Sequence, residues 1–200
     1  MLIQPFSLTI ERGEIVTLMG PSGSGKSSLL SGLAGTLAAP LAIQGGASLN
    51  GADILSRKPQ DRRLGRLFQD DLLFPHLTVG ENLLFGMARA PRDQRLVAMR
   101  EGLQDIGLAG YENRPPHTLS GGQRQRVSLM RSLLAKPSAL LLDEPFSKLD
   151  QTLRTQIRRS TFEMLKAYGT PALLVSHDSA DAPDGGLVLV IDEEGNVTHV

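Results

Sequence analysis

The 200-residue chain contains no cysteine, which removes disulfides, thiolate zinc sites and cysteine nucleophiles. It has no excess of either charge, since 21 Lys+Arg balance 21 Asp+Glu. A dominant nucleic-acid surface usually shows a basic excess, so no nucleic-acid partner is expected. No apolar run approaches the ~20 residues of a membrane span. The opening stretch MLIQPFSLTIERGE has no basic region followed by an apolar core, so no signal peptide is expected. If a membrane matters to this protein, another chain crosses it. Internal repeats and low-complexity tracts are absent, and 21 Gly and 12 Pro are too few for a disordered chain.

What is present is an ordinary globular composition, 40% apolar and 21% charged, on a chain long enough to bury a full core. Phe6, Leu8 and Ile10 alternate with polar neighbours and predict an opening strand, with a turn at Gly13-Glu14. Residues 15–19 are a short apolar run that predicts a buried strand. A Gly/Ser cluster follows, and then a helix start at Lys26. Residues 40–68 are punctuated by glycine and predict short strands and turns. Between about 70 and 118 the texture becomes helical, with Leu96, Met99, Leu103 and Ile106 at helical spacing and Pro91, Pro115 and Pro116 bracketing the segment. A second helix is expected from Val127, Met130, Leu133 and Leu134. A buried strand follows at 139–142, then a helix with Leu153, Ile157, Thr161 and Leu165 on one face, and two closing strands at 172–175 and 187–191. Strands alternating with helices imply a parallel α/β sheet.

Three stretches carry chemistry. Gly20, Pro21, Ser22, Gly23, Ser24, Gly25, Lys26 and Ser27 fit the phosphate-loop pattern G-x-x-x-x-G-K-[ST], in which backbone N–H groups face phosphate oxygens. Lys26 adds a point charge, Ser27 offers a hydroxyl for Mg²⁺, and the following helix presents its positive end. The bland alternative is a Gly-rich turn with a surface lysine, but the setting between strand and helix is the one the pattern requires. Leu140-Leu141-Leu142-Asp143-Glu144 is an apolar strand ending in two carboxylates, delivered to the edge where ligands bind in parallel sheets. Asp143 is a candidate for holding Mg²⁺ and Glu144 for polarising an attacking water; solvated loop acids are the alternative. Leu119-Ser120-Gly121-Gly122-Gln123 can offer a hydroxyl and backbone N–H groups to an anion at a helix start, or can simply be a capped turn.

Taken together these residues resemble the nucleotide-binding subunit of an ATP-binding cassette (ABC) transporter, over nearly the whole chain. The motifs stand in the family's order: residues 20–27 (Walker A, with Ser28 beside it), Gln69 (Q-loop), residues 119–123 (signature), 140–144 (Walker B), Ser147-Lys148-Leu149-Asp150 (D-loop) and His177 (switch histidine). The resemblance implies a P-loop NTPase ABC ATPase fold with a mostly parallel core sheet, an N-terminal antiparallel β region and an inserted helical subdomain. It implies one domain over 1–200, with 1–69 and 119–200 as the RecA-like core and 70–118 as the helical subdomain. Within it, Glu144, His177 and Gln69 are the expected catalytic residues. Residues 20–28 bind ATP, and Ser120, Gly121, Gly122 and Gln123 cover the ATP of a second copy in trans. Ser27, Gln69 and Asp143 face Mg²⁺, and Asp150 lies at the dimer interface.

The implied cofactors are ATP and Mg²⁺. The implied partners are a second copy of the chain, transmembrane permease subunits and a solute-binding protein, at the cytoplasmic face of the inner membrane. Residues 68–82 are similar to those of small-solute importer ATPases, including thiamine-type ones, in which they face a coupling helix; Leu72, Leu73, Phe74 and Pro75 are the candidate contacts, or else core of the helical lobe. A soluble non-transport ABC protein and a nucleotide-responsive module with little turnover are the alternatives.

The sequence departs from the family in three places. An aromatic residue that stacks on adenine is expected roughly 25–30 residues before the Walker lysine. Lys26 leaves no room for it, and Phe6 is out of register. Without that stack nucleotide affinity is expected to be about tenfold weaker, and without the strand that carries it a sheet edge is exposed. Ser28 stands where threonine is usual, and Lys148 where a small residue is commoner. The chain stops soon after its last strand, so no appended regulatory domain is expected.

Overall fold

The structure, a computed structural model, describes residues 2–200. The chain forms two compact units. One comprises Met1–Arg66, Ser138–Glu144 and Leu165–Val200; the other comprises Leu67–Pro137 and Pro145–Met164.

The first unit is built on a six-stranded sheet. Its strands are β1 (Ile15–Met19), β4 (Leu64–Leu67, the last residue already in the other unit), β5 (Ala139–Asp143), β6 (Ala172–Ser176), β7 (Val188–Ile191) and β8 (Val197–His199), in the order β4-β5-β6-β1-β7-β8. β6 lies between β5 and β1 and is parallel to both, and β1 is parallel to β7. These strands read as nearly continuous apolar runs because a central parallel strand is covered on both faces. Val16, Leu18, Leu141, Val175, Leu189 and Ile191 are buried together, with Leu30 of helix α1 (Lys26–Ala34) packed among them. Each such side chain taken fully out of water contributes roughly 1.5–3 kcal/mol before chain entropy is charged against it.

Two details of this unit differ from expectation. Residues 2–14 form no strand, although Phe6, Leu8 and Ile10 do turn to the core and pack partly buried against it. Alternation set which side chains face inward, but a strand also needs a partner ladder, and none runs along this segment. The antiparallel β region consists of a minimal pair, β2 (Ser48–Leu49) with β3 (Ala52–Asp53), together with β8, which turns back on β7. β8 was not legible in the sequence because its three residues, Val-Thr-His, carry a single strongly apolar side chain.

The second unit is helical: α2 (Val79–Gly86), α3 (Arg92–Asp105), α4 (Gly121–Leu134) and α5 (Gln151–Ala167), whose last three residues belong to the first unit. It contains the helical segment 70–118 and also α4 and most of α5. The starts of α2 and α4 are encoded locally. Thr78 and Glu81 form a reciprocal capping box at α2, and Ser120 and Gln123 form another at α4. Leu83, Met99, Leu103, Leu129, Met130 and Leu133 are buried. On α5 the expected face holds: Ile157, Thr161 and Leu165 are buried and Leu153 half-buried. Phe146 and Phe162 meet edge to face at 6.0 Å.

Candidate active site

Strand register assembles the site of the first unit. Met19 pairs with Ser176, and Asp143 pairs with Val175. The next residues, Gly20, His177 and Glu144, therefore leave three adjacent strands at one edge of the sheet. That edge is where ligands bind in parallel α/β sheets.

The 20–27 loop wraps as its glycines permit. Gly20, Gly23 and Gly25 have φ of 155°, 83° and 95°, values that side chains rarely tolerate. Gly25 is the N-cap of α1, which gives the helix its left-handed entry. Lys26 is buried and folds back over the loop, donating from Nζ to the carbonyls of Gly20 and Pro21 at 2.8 Å each and to Ser24 Oγ at 3.4 Å. Burial pushes its ammonium below the usual lysine range, and the charges of Glu144 and Asp143 oppose that shift.

Ser27 Oγ donates to Asp143 Oδ1 at 2.7 Å. Glu144 follows β5 with a left-handed φ of 46°, uncommon for a residue with a side chain, and its N–H donates to Val175 O at 3.0 Å. Glu144 Oε1 lies 3.4 Å from His177 Nδ1. The loop carrying His177 is braced from below. Ser176 Oγ donates to the buried Asp181 carboxylate at 2.6 Å and accepts from the N–H of Asp178 at 3.1 Å.

The remaining expected site residues lie in the second unit. Gln69 is exposed, two residues after the end of β4. Ser120 is the exposed N-cap of α4, and Gly122 is buried behind it; a Cβ on Gly122 would stand 2.8 Å from Leu153 Cδ1, so the helices pack as closely as they do only because no side chain is there. Asp150 Oδ1 accepts from the N–H of Leu153 and caps α5. Lys148, where a small residue is commoner, pairs with Asp70 at 2.5 Å on an exposed face. Such exposed pairs are worth ~0–1 kcal/mol.

The 71–78 turn is held by polar contacts that the sequence reading missed. The buried side-chain amide of Asn82 donates to the carbonyls of Phe74, Leu77 and Thr78, and its oxygen accepts from the Phe74 N–H. Asp71 pairs with Arg124 of α4 at 2.8 Å. Arg131 of α4 donates to Leu72 O at 2.9 Å, and its guanidinium lies 5.4 Å from the Phe74 ring centroid. Of the four candidate apolar contacts in this turn, Leu72 is 53% exposed and Pro75 is exposed, Phe74 is half-buried, and Leu73 is buried within the unit. Leu73 is therefore a core residue. Phe85, at 66% exposure, packs edge to face on Phe74 at 4.6 Å and extends the apolar surface.

Arg66 was also missed. It donates from Nη2 to Asp143 Oδ2 at 2.7 Å. An arginine within a short strand was the signal available.

The oxygen donors of Ser27 and Asp143 fit a hard cation such as Mg²⁺. Among the described residues no group of three His, Cys, Asp or Glu side chains could hold a metal alone. Mg²⁺ usually takes one or two protein oxygens and completes its octahedron with water and substrate phosphates, so a hydroxyl and one carboxylate 2.7 Å apart are an adequate set.

Comparison with known proteins agrees with this geometry. Residues 3–147 match the ABC transporter family. Over 94% of its length the chain is 45% identical to YnjD of Escherichia coli K12, an uncharacterised ABC transporter ATP-binding protein, and spans 87% of it. Over its whole length it is 37% identical to FbpC of the same organism, a Fe(3+) ions import ATP-binding protein, of which it spans 57%. It is 38% identical over 97% of its length to the sulfate/thiosulfate import ATP-binding protein CysA of Halalkalibacterium halodurans, of which it spans 55%. The solved structure of CbiO1 from Clostridium perfringens, part of the ABC transporter complex CbiONQ, superposes with a TM-score of 0.86 at 29% identity, covering 98% of this chain and 80% of that one. The fold and site define a P-loop ATPase of the ABC type. The chain belongs to the ABC transporter family, as an ATP-binding, ATP-hydrolysing component.

Proposed function

We propose that this chain powers solute import through separate transmembrane permease subunits by ATP-driven dimerisation at the cytoplasmic face of the inner membrane. The observation that carries the reading is the meeting of Glu144 and His177, 3.4 Å apart, at the same sheet edge as the Gly20–Lys26 loop and the Ser27–Asp143 pair.

In this reading, residues 20–28 cradle the phosphates of ATP, and Lys26 exchanges its carbonyl partners for phosphate oxygens. Ser27 and Asp143 would hold Mg²⁺, which when bound would neutralise phosphate charge. Phosphoryl transfer to water needs positioning and charge stabilisation rather than a covalent intermediate. Glu144 orients the attacking water and accepts its proton. His177, from the neighbouring strand, holds Glu144 and meets the γ-phosphate. Ser120, Gly121, Gly122 and Gln123 of a second copy close over the same phosphate, with Asp150 at the interface. Two copies then clamp on ATP and separate after hydrolysis, a two-state element biased by one phosphate.

Residues 70–118 act as the helical subdomain in this scheme. The apolar surface of Leu72, Phe74 and Phe85 suits a permease helix laid against it. The relatives' names favour import, and a solute-binding protein completes such a system. No helix of the described residues is long and apolar enough to cross a membrane.

The test is light scattering of Glu144→Gln with and without ATP and Mg²⁺. An ATP-induced dimer is expected. A monomer at saturating nucleotide would overturn the dimerisation scheme.

A further inference from the structure

Asp143 carries a partner that phosphate binding does not require. Arg66 of β4 spreads its guanidinium between two groups: Nη2 donates to Asp143 Oδ2 at 2.7 Å and Nη1 donates to Ser31 Oγ at 3.0 Å. Ser31 is itself fixed to α1, donating from Oγ to Ser27 O at 2.8 Å. The Asp143 carboxylate thus has one oxygen on the Ser27 hydroxyl and the other on a cation built into the chain. The pair is not a loose surface contact, because the two side chains are only 16% and 14% exposed. A charge-assisted bond in such a setting is among the stronger hydrogen bonds.

We propose that Arg66 is a positioning residue that stands in for the divalent cation at Asp143, lowering the dependence of ATP binding on that cation. The inference rests on reading Asp143 as the carboxylate that faces Mg²⁺. When the cation is absent, an uncompensated Asp143 would repel the incoming phosphates; Arg66 offsets that charge and holds the carboxylate toward Ser27. When Mg²⁺ is present, it shares Asp143 with the guanidinium, so it gains less than it would from an unpaired carboxylate. Both effects narrow the difference between ATP binding with and without the cation. The bland alternative is that Arg66 merely ties β4 to α1 and β5, in which case its loss lowers stability and leaves that difference alone.

The test is calorimetric binding of the non-hydrolysable analogue AMP-PNP to the full chain, in Mg²⁺ and in EDTA. The readout is the ratio of the two affinities. Arg66→Gln keeps hydrogen-bonding capacity and removes the charge, and is expected to raise the ratio about tenfold, the scale of one hydrogen bond to a charged group. Arg66→Lys restores the charge and is expected to return the ratio most of the way to wild type, which also serves if the glutamine variant folds poorly. Asp143→Asn is expected to bring the ratio close to one. If Asp143→Asn collapses the ratio while Arg66→Gln leaves it unchanged, or Lys shifts it as much as Gln, the role of Arg66 is overturned and that of Asp143 stands. If Asp143→Asn leaves the ratio at the wild-type value, the reading of Asp143 fails and the inference falls with it.

Discussion

His177 Nδ1 lies 3.4 Å from Glu144 Oε1, although 33 positions separate the two residues in sequence and they follow different strands. The contact follows from register: β5 and β6 are parallel neighbours with Asp143 opposite Val175, so each strand delivers its next residues to the same edge. Glu144 is held there with a left-handed backbone, φ 46°, a conformation that costs of order 1–3 kcal/mol and persists when its surroundings fix it.

Glu144→Gln and His177→Ala are each expected to reduce steady-state ATP turnover by ~10²–10⁴-fold, the range a positioned general base contributes. Because the two groups act as a unit, the double variant is expected to be little worse than either single one. Phosphate-release kinetics check this. Fully additive losses would show that the pair does not act together.

Burial holds the Lys26 ammonium below its ordinary range, and bound phosphate would favour its charged form. Nucleotide affinity is therefore expected to fall as pH rises from that lowered range toward 10.5, with proton uptake on binding in the same window. Calorimetry in buffers of different ionisation enthalpy reads the uptake directly. Lys26→Met should lose both the affinity and the pH dependence.

Gly122 packs so closely that an added Cβ would meet Leu153 Cδ1 at 2.8 Å. Gly122→Ala is expected to cost about 1–3 kcal/mol by overpacking. Trimming Leu153 to Ala in the same chain should recover part of that loss, since the clash is with the far end of its side chain. Denaturant midpoints of the two single variants and the double variant test the coupling.

The start of α2 rests on the Thr78–Glu81 box, in which Glu81 Oε2 accepts from the Thr78 N–H at 2.7 Å. Those bonds hold the Glu81 carboxyl below its ordinary 4.5. The contribution of this acid is fully present above pH 4.5 and is lost as pH falls through its depressed value. Thr78→Ala is expected to cost about 1 kcal/mol, and Glu81→Gln to flatten the acid limb of a stability profile measured by thermal unfolding.

Leu72 and Phe85 are exposed, whereas Leu73 is buried. Leu72→Asp and Phe85→Asp should therefore leave the melting temperature and ATP binding near wild type while weakening capture by the permease subunits. Leu73→Asp should unfold the helical unit. If the first two variants bind the permease as wild type does, its docking surface lies elsewhere.

Much of the site was legible along the chain because local chemistry dictates it. The loop at 20–27 needs glycines where φ is positive, the apolar run at 139–142 needs to be a buried strand, and the helix start at Ser120 carries its own cap. Pattern failed where a partner had to decide. Phe6, Leu8 and Ile10 alternate like a strand and pack like one, yet no ladder forms along them. β8 forms from three residues of which only Val197 is strongly apolar, because β7 offers an edge to pair with. Leu73 sits in an apolar run beside the exposed Leu72, and only the turn clamped by Asn82 separates their fates.

By itself, then, the sequence determined the phosphate loop, the order of the helices and of the central strands, the acids at the end of β5 and the balanced charge, all of which are properties of neighbouring residues. The tertiary structure decided which distant groups meet: Glu144 with His177, Ser27 with Asp143, and Arg66 with that same carboxylate. Those pairings depend on strand order and register, which are set by burying apolar faces across the whole sheet.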